Sequence, residues 1–320
     1  GLSVHEYRHI VQYAHAQRGM ARIARAFMGP GGQTIVMHMA LPIWYFEGDA
    51  VLMETAHTRG GRGRFPTFDV GMRAMTAERG LLKYDQYLAR SIRFPVPSHY
   101  PFGYHLISHG REAYGADIWR TTTQKAAAWG LMPYTFSRNL RRSTGKNLRD
   151  FTAEVMQTRS AQWETQREQT KMTAAEDVLP HPTDGPALFS YSPQPQSDGS
   201  TITYQKGRAV PGRIVRIEPT GDVTTLALTG SRSNRRISTA AGSVVWDETR
   251  PDPTRANRGR SVIRIYGADG ELRDLTEGAR HFSPALSPDG RSVAAVLHTP
   301  ENTPALVILD AQTGEESWRL

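Results

Sequence analysis

The spacing of apolar positions divides the chain into two textures. From residue 1 to about 172, apolar side chains recur at helical intervals over 2–18, 68–91, 103–114, 116–129 and 146–170, as the buried stripe of an amphipathic helix requires. Glycine and proline punctuate these stretches, as in GPGG (29–32) and FPVPSHYP (94–101). The polar segment 159–186 reads as a helix end running into a linker. After about residue 186 the period drops to two, with short alternating runs separated by turn residues. The pattern predicts an α+β chain in two domains. A mostly helical domain spans 1–172, a linker 173–185, and an antiparallel β domain 186–320.

The β half repeats itself. YSPQPQSDGSTITY (191–204) aligns without a gap on FSPALSPDGRSVAA (282–295), pairing Ser192 with Ser283, Pro193 with Pro284, Asp198 with Asp289 and Gly199 with Gly290. The separation of 91 residues leaves room for a repeat between them, and TAAGSVVW (239–246) supplies it. A second landmark agrees, since the turn glycines Gly221, Gly270 and Gly314 are 49 and 44 residues apart. A strand, a tight Asp-Gly turn and a second strand, repeated in the mid-forties, mark a β-propeller blade. Asp-Gly provides the positive φ that such hairpins need. The Ser-Pro-Asp-Gly turn resembles the TolB-type, WD-like propeller repeats of bacterial envelope proteins, and the middle repeat departs from it at TAAG. Three blades are expected, at about 186–228, 229–276 and 277–320. Propellers close with about four blades or more, so the chain is expected to be part of a longer one.

Composition narrows the chemistry. A length of 320 residues suits two domains. With no cysteine, disulfides and thiolate sites are excluded, and any metal must rest on histidine and carboxylate. The formal net charge of +8 favours anionic partners in general. However, Lys and Arg are scattered, and their densest cluster, 137–150, reads as the solvated face and end of a helix. No nucleic-acid motif accompanies it, so no nucleic-acid partner is expected. The longest apolar run, 34–46, is broken by His38 and Pro42 and falls short of the roughly 20 residues that span a bilayer. No transmembrane segment is expected.

One motif carries chemistry. His5-Glu6-Tyr7-Arg8-His9 fits the H-E-x-x-H pattern. On a helix, His5 and His9 stand one turn apart on one face and can share a tetrahedral zinc ion. Glu6 can reach a water there as general base. Val4, Tyr7, Val11 and Ala14 offer an opposite face for packing. Ser3 and Glu6 mimic a capping box, but the helix is expected to begin upstream of them, leaving Glu6 free.

A hydrolytic zinc needs a third protein ligand and an open fourth position. LPIWYFEGDAVLMET (41–55) resembles the W-x-x-E-G-x-A element of gluzincin metallopeptidases, the aminopeptidase N and thermolysin group. That resemblance implies Glu47 as third ligand and Glu54 as a carboxylate supporting the site. The 37 residues between His9 and Glu47 exceed the insert of aminopeptidase N-like enzymes, so the subfamily does not carry over. SHYPFGYHLISHGREAYG (98–115) resembles their Y-x-x-G helix start. Tyr100 is implied as oxyanion donor, with Gly103 at the matching position. His105 and His109 read as helix surface or pocket lining, with His109 a weaker alternative donor.

The combined resemblance, a gluzincin-like helical half with a TolB-like propeller, is to the peptidase MA-like superfamily of the bacterial envelope. It implies a zinc metallopeptidase in the periplasm or cell envelope, acting on peptide or protein, with the propeller recruiting substrate or a protein partner. In that family a sheet precedes the H-E-x-x-H helix and walls the cleft, so this chain is expected to be an internal piece. The alternative reading is an inactive envelope scaffold with a degenerate peptidase domain.

Overall fold

The computed structural model describes all residues except 175–185, 232–233, 253–258, 279 and 300–302. It divides into two compact units, Gly1–Ala174 and Ala175–Leu320. Most of the expected linker, 175–185, lies outside the described residues.

The first unit is helical. Its elements are α1 (Leu2–His15), α2 (Gly19–Ala40), α3 (Ile43–His57), α4 (Val70–Arg79), α5 (Tyr84–Ala89), α6 (His99–Tyr114), α7 (Ile118–Ala128), α8 (Thr135–Thr144) and α9 (Leu148–Gln169). A 3-10 turn, Arg62–Arg64, follows α3. The periodic stretch 68–91 forms two helices, because Gly80 takes a φ of 76° that ends the first. Within GPGG the backbone breaks at Gly29 (φ 65°, ψ −160°), and Pro30 opens a second helical segment, where its fixed φ fits. Residues 137–150 divide between the end of α8 and the start of α9, with Asn147 capping α9 through its side chain.

The core of this unit is aromatic. Trp44, Phe102, Trp119, Phe136 and Phe151 are buried and meet mostly edge to face, with the Trp119 and Phe136 rings stacked. Burying a side chain such as Phe102 or Leu106 contributes about 1.5–3 kcal/mol. α3 and α6 cross at two glycines. A methyl group on Gly48 would overlap the backbone of Gly103, and one on Gly103 would strike the carbonyl oxygen of Trp44.

α1 departs from expectation. The expected face does not pack as one, since Tyr7 is 65% exposed and Ala14 is exposed, while Val4 and Val11 are half-buried. The helix turns its polar side inward instead, burying His5 and Gln12. The physical reason is that buried polar partners, Asp49 and Glu54, stand on the facing helix α3 and satisfy it.

The second unit contains three four-stranded antiparallel sheets among the described residues. β1 (Leu188–Pro195), β2 (Thr201–Gly207), β3 (Arg213–Ile217) and β4 (Val223–Leu228) pair in chain order. So do β5 (Ser238–Ala240), β6 (Ser243–Pro251), β7 (Gly259–Tyr266) and β8 (Leu272–Asp274). β9 (His281–Leu286), β10 (Ser292–His298), β11 (Pro304–Asp310) and β12 (Glu316–Arg319) form the third.

The sequence repeats recur in the backbone. Gly199, Gly242 and Gly290 take φ of 83°, 76° and 71°, and Gly221, Gly270 and Gly314 take 89°, 80° and 76°. Ser192 and Ser283 share a left-handed φ of 54° and 51°, each beside a register shift in the first strand pair of its sheet. The middle sheet is buried on both faces. Val244 and Trp246 of β6 pack with Ile202, Tyr204 and Ile214 of the first sheet, whereas Val245 packs with Val293 and Val307 of the third. Strand alternation thus explains the three consecutive apolar residues of β6, Val244, Val245 and Trp246.

Candidate metal centre

The first turns of α1 face the start of α3, and three predicted side chains meet there. His5 Nε2 lies 3.1 Å and His9 Nε2 3.7 Å from Glu47 Oε2. One donor atom from each of the three falls within 4.8 Å of the other two, the one such group of three among the described residues. A tetrahedral zinc ion with bonds of about 2.0–2.2 Å sets its ligand atoms roughly 3.3 Å apart. Two imidazoles and one carboxylate at these separations fit such an ion in both spacing and chemistry. Glu6, on the same helix, is exposed. Ser3 lies inside α1 rather than at its cap, and Gly1 is the N-cap residue.

Each histidine is held by a second partner. His9 Nδ1 lies 3.0 Å from Gln12 Oε1. The orientation of that amide is fixed, because Gln12 Nε2 donates both to the Phe46 carbonyl (3.0 Å) and to Asp49 Oδ2 (2.9 Å). The Gln12 oxygen is therefore the acceptor and His9 Nδ1 the donor, which leaves a lone pair on Nε2, facing Glu47. Asp49 is fully buried and also accepts from Arg8 Nε (2.6 Å) and Arg111 Nη2 (3.3 Å).

His5 Nδ1 stands between Glu54 Oε2 (3.3 Å) and Arg62 Nη2 (2.8 Å). Arg62 grips Glu54 through Nε (2.7 Å), Nη2 (3.0 Å) and its own backbone N–H (3.0 Å). Burial pushes the Glu54 carboxyl up, but the hydrogen bonds and charge of Arg62 outweigh it and hold the group below the usual carboxylate range.

Tyr100 opens α6 near the cluster. Its ring centroid is 6.3 Å from that of His5, and the Arg62 guanidinium sits 5.0 Å from its ring centroid. Burial raises its phenol, and the charge of Glu47 raises it further against the opposing pull of Arg62. The ring contact with His5 sets Tyr100 beside the cluster.

His109 is not brought to the cluster. It is buried, with Nε2 3.6 Å from Glu154 Oε1 and its ring against Phe151. His105 is buried too, rather than on the helix surface, with Nε2 3.3 Å from Asp69 Oδ2. Both turn toward neighbouring structure because α6 is covered along that face, by α9 and by the residues that precede α4.

Four contributors were not read from sequence. Gln12 had a signal, standing three residues after His9 on the same helical face. Asp49, a second acid two residues after Glu47 amid the apolar positions of 41–53, had one as well. Arg62 lies in RGGRGRF (59–65), where glycine and arginine spacing marks no contact. His99 is half-buried beside Tyr100, and the charge of Glu47 acts on it.

No protein-family model matches the chain, and no curated protein does. Among solved structures it is similar to TolB from Acinetobacter baumannii, at 20% identity and a TM-score of 0.28, over 39% of this chain and 31% of that one. It is also similar to a puromycin-hydrolyzing peptidase of Mycobacterium tuberculosis, at 13% identity and a TM-score of 0.32, over 42% of this chain and 21% of that one. The chain thus spans less than a third of the length of either protein. What fold and site together define is a two-unit α+β protein with a buried-edged cluster of two histidines and a glutamate. No helix among the described residues is long and apolar enough to cross a membrane.

Proposed function

We propose that the helical unit is a zinc-dependent metallopeptidase domain of gluzincin type, and that the three sheets are blades of a β-propeller that binds substrate or a partner. The observation that carries this reading is the convergence of His5, His9 and Glu47 on one point, with Glu6 on the same helix. His5, His9 and Glu47 would hold the ion. Zinc supplies Lewis acidity toward a peptide carbonyl and makes a water acidic enough to react near neutral pH.

The remaining steps belong to the chain. Glu6 takes the proton of the attacking water and hands it to the leaving amine. Tyr100 donates its hydroxyl hydrogen to the oxyanion that develops on the carbonyl. Gln12 keeps the His9 lone pair on Nε2, and Glu54 with Arg62 fixes the plane of His5. Three meanders in chain order, each with the same glycine turns, support the propeller reading, and the repeat resemblance supports a periplasmic or envelope location.

One observation favours a second reading. His5 Nε2 reaches Glu47 directly, at hydrogen-bonding distance, so the cluster closes on itself. An inactive envelope scaffold would need no more than that. Peptide hydrolysis by the wild type and by Glu6→Gln separates the two. The peptidase reading expects a loss of at least about a hundredfold in the variant with zinc retained. Equal rates would establish the scaffold.

A further inference from the structure

A concavity of about 330 Å³ lies beside the metal centre, between the 3-10 turn, the start of α4 and the start of α6. That volume is near the lower end of the range for ligand pockets, about 300–1,000 Å³, and suits one side chain rather than a length of peptide. Two of its walls, Arg62 and Tyr100, belong to the surroundings of the centre. Arg62 Nη2 is 2.8 Å from His5 Nδ1, and the Tyr100 ring centroid is 6.3 Å from that of His5. The concavity therefore adjoins the tyrosine that the peptidase reading assigns to the oxyanion.

Its other walls are mostly apolar. Phe68, Met72, Pro97 and Pro101 line it, and Ser98 adds a hydroxyl. The Phe68 ring is held edge-on against Tyr104, with 5.6 Å between centroids. Arg62 is the one charged residue of the described lining, and its charge is already met by Glu54. A charged group entering here would lose water without gaining an opposite charge, whereas an apolar group would gain burial. Gly71 supplies a separate observation. It lines the concavity from the first turn of α4, takes no left-handed φ, and a methyl group on it would meet nothing within 4 Å. Neither backbone conformation nor packing calls for glycine there, and glycine weakens a helix relative to alanine. What the absent side chain leaves open is the space in front of α4.

We propose that this concavity is the specificity pocket of the site, receiving one uncharged apolar side chain, aromatic or branched aliphatic, of the peptide substrate. The proposal rests on the peptidase reading and adds the substrate class to it. Removal of that side chain from water supplies the binding, and Gly71 with Phe68 sets the size that is accepted.

The test uses the zinc-loaded 320-residue chain and a series of hydroxamates, which chelate zinc and can carry a chosen tail. Calorimetry gives the affinities of acetohydroxamate, of short phenylalkyl hydroxamates, and of hydroxamates whose tails of the same lengths end in a carboxylate. At least one phenylalkyl compound should bind roughly tenfold or more tighter than acetohydroxamate, with no such gain among the carboxylates. Gly71→Leu places a side chain where a methyl group meets open space, and should remove most of that gain. Failure of every hydroxamate to bind would sink the peptidase reading and this proposal together. Three results would overturn the pocket alone, with the metal reading intact: acetohydroxamate binding with no gain from a phenyl tail, a larger gain from a carboxylate tail, or a phenyl gain unchanged in Gly71→Leu.

Discussion

At the residue scale, the ligands are oriented by groups that a motif does not contain. Gln12 fixes the His9 tautomer because both hydrogens of its amide are already committed to Phe46 and Asp49. Gln12→Leu is expected to lower zinc affinity about ten- to a hundredfold, read by competition with a chromogenic chelator. The three side chains that meet could be named from the sequence, His5 and His9 by their i, i+4 spacing and Glu47 by the resemblance of 41–55 to a gluzincin element. Arg62 could not be, because its contact with His5 depends on a chain path that no short window encodes.

Buried histidines set an acid response. Burial lowers His105 below its ordinary value, and Asp69 offsets this only in part. The unfolded chain therefore binds that proton more readily than the folded one. The stability it contributes is full above about pH 6.5 and is lost as pH falls below that toward the folded value. His15, His99 and His281 shift in the same direction. The urea midpoint should fall between about pH 7.5 and about pH 5.5, and His105→Gln should flatten part of that fall.

At the element scale, the α3–α6 crossing positions the centre. Glu47 precedes Gly48, and Tyr100 stands one turn before Gly103, so the glycine contact between the two helices sets the positions from which Glu47 and the tyrosine project. The glycines of both motifs thus have a packing reason that sequence alone could not supply. Gly103→Ala should push the helices apart and cost about 1–3 kcal/mol or more in chemical denaturation, with zinc affinity falling as well. The same change at Gly71, around which a methyl group meets open space, should cost nothing of that kind. Helix α1 shows the opposite limit. Its apolar stripe was legible, but its burial was not, because the buried side was chosen by the polar groups of α3 rather than by hydrophobicity.

At the scale of the whole molecule, two units with separate hydrophobic cores share one chain. The change of period in the sequence falls near residue 186, and the repeated glycines stand at the turns of the three sheets. The middle repeat was the least legible of the three, since TAAG lacks the Asp of its neighbours, yet Gly242 makes the same turn. In calorimetry, zinc at about 100 times its Kd should stabilise the helical unit by roughly 2.7 kcal/mol and leave the β unit unchanged.

The central claim is that His5, His9 and Glu47 form one zinc site, and the metal content of the purified chain after dialysis against zinc tests it most directly. The account predicts about one zinc per chain in the wild type and in Glu6→Gln, and less than about a tenth of that in His5→Ala. Absence of zinc from the wild type, or equal zinc in His5→Ala, would contradict it.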